Sequence, residues 1–163
     1  MTQAQAIYAG SFDPFTKGHL SVAKGAYKAF GNLTIAIGIN KSKTGWFSIT
    51  DRMLIINEYF KNDKSKPRVV SFEGLLADFC KNYSNPVIVR GLRAVSDFEQ
   101  EMAIADANRR LAVPTVFIPT EASLAYISSS MAKEIARYSK NFSDLEPYVI
   151  PSVAHRLFDS SGC

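Results

Sequence analysis

The chain has 163 residues, of which 47% are apolar and 21% charged, and its formal net charge is +4. These values predict a single domain, residues 1–163, with a sizeable core. No apolar run approaches the ~20 residues of a membrane helix, and the N-terminus lacks the features of a secretory signal. We therefore expect a cytoplasmic protein without a membrane partner. The two cysteines, Cys80 and Cys163, argue against a disulfide framework or a zinc site.

The positive net charge suits an anionic ligand such as a nucleotide. The sequence has no block of Lys and Arg and no alternation of basic with aromatic residues, so we expect no nucleic-acid partner. A mildly basic surface that binds nothing is equally compatible with the charge alone.

Hydrophobic periodicity predicts strands and helices that alternate along the chain. The predicted strands are Gln3–Ala9, Leu33–Ile39, Arg68–Phe72, Val87–Val89 and Thr115–Ile118. The predicted helices are Gly18–Phe30, Thr50–Phe60, Leu75–Tyr83, Phe98–Leu111 and Ser128–Tyr138, with one more within Pro147–Phe158. Thr50 and Asp97 are predicted to cap the second and fourth helices. This alternation predicts an α/β fold with a doubly wound five-stranded parallel sheet.

A segment whose residues could bind or react with a ligand follows each predicted strand. In doubly wound sheets, ligands bind outside the carboxyl ends of the strands, so these segments are expected to converge. They are Gly10–His19, Asn40–Trp46, Glu73–Leu76, Arg90–Arg93 and Pro119–Ser130.

The segment Gly10–His19 is typical of a phosphate-binding turn between a strand and a helix. Gly10 allows a close approach of the backbone, and Ser11 adds a hydroxyl donor. His19 would lie at the start of the helix, where a hydrogen bond to a phosphoryl oxygen stabilises developing charge. The alternative is a purely structural histidine. Asp13 is expected to orient the turn backbone.

Basic residues lie on two of the other segments. Lys43 is a candidate phosphate ligand, with a solvated surface charge as the alternative. Arg90 and Arg93 have the planar guanidinium that suits bidentate phosphate binding. For both arginines, the alternative is a structural ion pair with an acidic residue that follows, namely Asp97, Glu99 or Glu101.

Three consecutive serines, Ser128-Ser129-Ser130, precede or open a predicted helix. One serine would suffice for a helix cap. Three hydroxyls beside the first backbone amides of a helix predict a second anion site, with simple capping as the alternative.

The motifs together carry a family resemblance. Ser11-Phe12-Asp13-Pro14 followed by Thr16-Lys17-Gly18-His19 resembles the T/H-x-G-H signature of the nucleotidyltransferase superfamily. With Arg90-Gly91-Leu92-Arg93 and Ile127-Ser128-Ser129-Ser130, nearly the whole chain resembles the bacterial phosphopantetheine adenylyltransferase family.

The resemblance implies a Rossmann-like nucleotidyltransferase fold and a reaction in coenzyme A biosynthesis. ATP and 4′-phosphopantetheine would give dephospho-coenzyme A and pyrophosphate, with Mg²⁺ as cofactor and with metal ligands left unknown. It also implies a cytoplasmic homohexamer.

The resemblance further implies roles for individual residues. The catalytic residues would be His19, Lys43 and Arg93. The residues that hold phosphopantetheine would be Ser11, Lys43, Leu76 and Arg90. The residues that bind ATP would be Ser11, Phe12, His19, Gly91, Leu92, Arg93, Glu101, Leu124, Ala125, Tyr126, Ile127, Ser128, Ser129 and Ser130.

The expected chemistry is an in-line attack of the acceptor phosphate on the α-phosphorus of ATP. Two alternatives stay open. One is a different adenylyl- or cytidylyltransferase, which would act on nicotinamide mononucleotide or a phosphorylated alcohol. The other is a non-catalytic protein that binds nucleotides or RNA.

Overall fold

Five strands form one parallel sheet in the computed structural model of the chain, which describes residues 3–42 and 44–160. The strands are β1 (Gln5–Gly10), β2 (Thr34–Ile39), β3 (Arg68–Glu73), β4 (Pro86–Leu92) and β5 (Thr115–Pro119). Their order across the sheet is β3-β2-β1-β4-β5. The predicted doubly wound five-stranded parallel sheet is confirmed.

Six α-helices connect or follow the strands in the described part of the chain. They are α1 (Lys17–Phe30), α2 (Ile49–Phe60), α3 (Leu76–Cys80), α4 (Val95–Arg110), α5 (Ser129–Tyr138) and α6 (Pro151–Ser160). Within residues 3–42 and 44–160, none is both long and apolar enough to cross a bilayer.

The central strand β1 is buried on both faces, and its successive side chains enter two different cores. Tyr8 packs with Val22 and Ala26 of α1 on one face. Ile7 packs with Ala77 and Cys80 of α3 on the other. Because side chains alternate across a strand, the near-continuous apolar run of β1 supplies both cores.

The strand order reverses between β1 and β4. The chain moves outward from β1 to β2 and β3, and then returns to the other side of β1 for β4 and β5. The loops that leave β1 and β4 therefore diverge and open a crevice at the carboxyl edge of the sheet, which is where such folds bind ligands.

Three strands are longer than predicted, β3 and β5 by one residue each and β4 by four. β4 continues through Leu92, with Arg90 paired to Phe117 and Leu92 paired to Pro119 of β5. The prediction that Arg90–Arg93 follows the strand is therefore wrong for its first three residues. Pairing with β5, a strand distant in the sequence, extends β4 beyond its apolar residues.

Two predicted helix caps are also wrong. α2 is capped by Ser48, whose hydroxyl accepts a hydrogen bond from the Asp51 amide at 3.1 Å, and Thr50 lies inside the helix. α4 begins after Ala94 without a side-chain cap. Asp97 lies in its first turn, where the carboxylate accepts from the Arg93 amide at 3.3 Å.

Further helix boundaries differ from the prediction. α3 ends at Cys80 and is five residues long, because the chain then enters a series of turns. α4 begins at Val95, three residues before the predicted Phe98. The helix predicted within Pro147–Phe158 begins at Pro151, where proline suits the first turn of a helix, and it continues to Ser160.

A buried carboxylate joins the loop after β1 to the loop after β2. Asp13 is 7% exposed and accepts hydrogen bonds from the amides of Trp46 and Phe47 at 2.8 and 2.9 Å. The Arg52 guanidinium lies 3.4 Å from Asp13 and also donates to the carbonyls of Phe47 and Ser11. Asp13 was predicted to orient the backbone of its own turn, but the two amides that it binds belong to the loop after β2. Its link to its own turn runs through Arg52.

We predict that Arg52→Met destabilises the protein by about 3 kcal/mol or more, because it leaves the buried Asp13 carboxylate without its closest cationic partner. Urea unfolding measures the loss. Arg156→Met is the matched control, since Arg156 pairs with Asp51 and Glu58 at 3.6 Å on a more exposed surface and should cost about 0–1 kcal/mol. Equal losses in the two variants would contradict the assigned role.

Candidate active site

A cavity of about 410 Å³ opens at the crevice between β1 and β4. Ten of the residues that the sequence singled out line it together. They are Ser11, Phe12, His19, Arg90, Gly91, Arg93, Glu101, Ile127, Ser128 and Ser129.

Other predicted site residues do not line this cavity. They are Leu76, Leu92, Leu124, Ala125, Tyr126 and Ser130. Leu76 packs against the core on the α3 face of the sheet. Leu124 lies close to Gly18, since a Cβ on Gly18 would be 3.7 Å from the Leu124 carbonyl oxygen. Lys43 lies outside the described residues.

The turn after β1 is shaped by the ring of Phe12. Phe12 has a φ of +47°, in the left-handed region that favours glycine, and is 2% exposed. Its ring packs edge-on against Tyr8 and His19, with centroids 5.1 and 5.2 Å away. A Cβ on Gly10 would lie 3.0 Å from this ring. A side chain at position 10 would therefore press on the Phe12 ring. The packing of that ring offsets the cost of the left-handed backbone at Phe12.

His19 takes part in the N-terminal cap of α1. The Thr16 amide donates to its Nδ1 at 3.0 Å, and the Thr16 hydroxyl accepts from the His19 amide at 3.3 Å. Because Nδ1 accepts this hydrogen bond, the proton of the neutral ring belongs on Nε2. His19 thus contributes to the helix cap through Nδ1, and its Nε2–H is available to donate a hydrogen bond to a ligand in the cavity.

Burial, and after it the positive charges of Arg93 and Arg90, lower the pKa of His19 from its ordinary 6.5 to about 4. The imidazole is therefore neutral near pH 7. A neutral ring with Nδ1 engaged acts as a hydrogen-bond donor.

Arg90 is held in place by both sides of the crevice. Its Nε and Nη2 donate to the Glu101 carboxylate at 2.6 and 2.7 Å, and its Nη1 donates to the Ala9 carbonyl at 3.1 Å. The ion pair with an acidic residue, the alternative interpretation of Arg90, is present. These bonds use three of the five N–H donors of the guanidinium, so two are left for an anion.

Arg93 forms a looser pair at the mouth of the cavity. Its guanidinium donates to Asp97 at 3.2 and 3.4 Å, and 41% of its side chain is exposed. Because the contact is long and exposed, it contributes little to stability. Arg93 can reorient toward a ligand more easily than Arg90 can.

The serines have separate tasks. The Ser128 hydroxyl accepts from the Met131 amide at 3.1 Å and caps α5. The Ser129 hydroxyl donates to the Pro14 carbonyl at 2.9 Å and joins α5 to the turn after β1. Capping and loop attachment therefore account for two of the three hydroxyls, while the first amides of α5 remain beside the cavity.

Several lining residues were not among the predicted site residues. Asp97, Gln100 and Ile104 belong to α4, Thr120 directly follows β5, and Tyr8, Thr16 and Val22 come from the first βα unit. Asp97, Gln100, Glu101 and Ile104 follow the i, i+3, i+4, i+7 spacing of one helix face. That spacing was a usable signal.

Comparisons with known proteins show the family. Residues 7–135 match the family model described as cytidylyltransferase-like. A phosphopantetheine adenylyltransferase from Leptospira biflexa is 41% identical over 155 residues, which are 94% of this chain and 96% of that protein. A protein of the same name from Flavobacterium psychrophilum is 44% identical over 90% of this chain and 97% of its own length.

The chain belongs to the phosphopantetheine adenylyltransferase family. A solved structure supports the fold of this adenylyltransferase. It is the Plasmodium falciparum nicotinic acid mononucleotide adenylyltransferase complexed with NaAD, with a TM-score of 0.64 and 16% identity, and the match covers 98% of this chain and 94% of that one.

We predict that the adenylyltransferase loses stability between pH 6.5 and pH 4. Above pH 6.5, His19 is neutral in both the folded and the unfolded chain. As the pH falls through 6.5, the unfolded chain binds a proton that the native state, with a pKa of about 4, does not. The free energy of unfolding therefore decreases by up to ~3 kcal/mol over this range.

Urea titrations at a series of pH values measure this slope. His19→Asn should remove most of the His19 contribution to the slope. An unchanged slope in His19→Asn would refute the prediction.

Proposed function

We propose that the chain transfers AMP from ATP to 4′-phosphopantetheine, and that dephospho-coenzyme A and pyrophosphate are the products. The observation that carries the proposal is the convergence of His19, Arg90 and Arg93 in one cavity at the edge of the sheet. Membership of the phosphopantetheine adenylyltransferase family supports the choice of acceptor.

The reaction is a direct in-line transfer. An oxygen of the acceptor phosphate forms a bond to the α-phosphorus of ATP, the bond from that phosphorus to the α,β-bridging oxygen breaks, and pyrophosphate leaves. The attacking phosphate is already ionised at neutral pH, so no general base is needed. A neutral His19 whose Nδ1 is occupied by Thr16 suits this requirement, because it can only donate.

The side chains contribute charge stabilisation and positioning. His19 Nε2–H donates to an oxygen of the α-phosphoryl group and stabilises the negative charge on that oxygen in the transition state. Arg90 directs its remaining donors to the acceptor phosphate, and Glu101 keeps the guanidinium in that orientation. Arg93 and the first amides of α5 hold the pyrophosphate. Lys43 stays a predicted partner of the acceptor phosphate.

Magnesium is proposed as part of the nucleotide substrate. Among residues 3–42 and 44–160, no three His, Cys, Asp or Glu side chains converge as a metal site. The cavity carboxylates, Asp97 and Glu101, are each paired with an arginine. Mg²⁺ is commonly held by substrate phosphates and water, so it would enter bound to ATP.

The family resemblance also supports a cytoplasmic homohexamer. α4 buries only Asn108 of its sixteen residues and exposes Val95, Phe98 and Met102, which offers apolar surface for subunit contact. Sedimentation equilibrium would test for six chains per particle.

We expect pyrophosphate release from ATP only when 4′-phosphopantetheine is the acceptor. The assay compares ATP with CTP, and 4′-phosphopantetheine with nicotinic acid mononucleotide, nicotinamide mononucleotide and a phosphorylated alcohol. Release with another pair would identify a different nucleotidyltransferase. Nucleotide binding without release from any pair would favour a non-catalytic protein.

We predict that His19→Asn lowers kcat by about 10²–10³-fold, since one preorganised donor to a transition-state oxygen is typically worth this much. Asn keeps an acceptor near the position of Nδ1, so the cap of α1 and the binding of ATP should be retained. His19→Gln places an amide donor near the position of Nε2 and should recover part of the activity. Equal losses in both variants would assign His19 a structural role only.

A further inference from the structure

The side chain of Tyr8 is a buried polar group that the proposed mechanism does not use. Tyr8 lies near the end of the central strand, paired with Ile35 of β2 and Val89 of β4. It is 5% exposed, and its ring packs edge-on against Phe12 with centroids 5.1 Å apart. A phenylalanine would make the same apolar contacts, so packing alone does not account for the hydroxyl.

The Tyr8 hydroxyl has no hydrogen-bond partner among the described residues. By contrast, the Tyr27 hydroxyl donates to the Lys64 carbonyl at 3.2 Å. The oxygen is not among the fully buried polar atoms that lack a partner, so it is open to the cavity and can bond a ligand there.

The hydroxyl points toward the cavity that Tyr8 lines together with Val22 and Gly91. A Cβ on Gly91 would lie 3.7 Å from the Tyr8 oxygen and 2.8 Å from Val22. Glycine at position 91 therefore keeps the space beside the hydroxyl open to a ligand.

The electrostatic surroundings of the phenol favour an anionic ligand. Burial raises the pKa of Tyr8 well above its ordinary value of 10, and the charges of Arg90 and Arg93 act on the ring in the opposite sense. The hydroxyl thus stays protonated, so it is available as a donor, beside two cationic side chains that attract phosphates.

We propose that the Tyr8 hydroxyl donates a hydrogen bond to an oxygen of the bound nucleotide. The position beside Gly91, a residue predicted to contact ATP, favours the nucleotide over the acceptor. The inference rests on the proposed function only for the identity of that nucleotide.

The test is Tyr8→Phe, which removes the hydroxyl and keeps the ring. Calorimetric titration with ATP and Mg²⁺, without acceptor, should show binding weakened roughly tenfold, equivalent to about 1.4 kcal/mol. The affinity for 4′-phosphopantetheine should stay within twofold of wild type. The urea midpoint should be unchanged or higher, because the hydroxyl has no partner in the free protein.

Tyr27→Phe is the matched control. It also removes one hydroxyl from a tyrosine, but Tyr27 does not line the cavity, so it should leave ATP binding unchanged. ATP affinity equal to wild type in Tyr8→Phe would overturn the inference. So would a lowered urea midpoint with equal weakening toward both substrates, since that result would assign the hydroxyl a structural role.

The two proposals fail in distinguishable ways. If wild-type protein binds ATP but releases no pyrophosphate with 4′-phosphopantetheine, the proposed function is wrong, and the ATP titration of Tyr8→Phe still decides the role of the hydroxyl. If wild-type protein turns over and Tyr8→Phe binds ATP normally, only the inference about Tyr8 is wrong.

Discussion

The attachment of two loops to the buried carboxylate of Asp13 is the constraint on which the site depends. One carboxylate receives the amides of Trp46 and Phe47 from the loop after β2, while Arg52 joins it to the carbonyls of Ser11 and Phe47. The turn after β1 and residues Trp46 and Phe47 of the loop after β2 are therefore fixed relative to each other. The proposed in-line transfer depends on such positioning, because a displacement of about 1 Å between reacting groups is costly.

His19 shows how one side chain can satisfy both a structural and a chemical interpretation. Its Nδ1 closes the cap of α1 with Thr16, and this fixes the ring and the tautomer together. The low pKa of the ring, which burial and the two arginines produce, keeps it neutral. Preorganisation here costs little, because the same hydrogen bond that begins the helix also orients the donor.

The fold and the phosphate-binding turn were predictable because their signals are local. Strands alternate with helices, and the residues from Gly10 to His19 are contiguous. The sequence did not show which of three acidic residues pairs with Arg90. The answer depends on which face of α4 each residue occupies, and the start of α4 at Val95 is not marked by a side-chain cap. The role of Tyr8 was not predicted. The space beside its hydroxyl exists because position 91, on a neighbouring strand, is a glycine, and the periodicity of the sequence gives no information on such contacts between strands.

Arg90 connects three parts of the molecule at once. It belongs to β4, donates to Ala9 at the end of β1, and is clamped by Glu101 of α4. Four residues of α4, Glu101 among them, line the cavity. The orientation of one guanidinium therefore depends on two neighbouring strands and on a helix that forms one wall of the cavity.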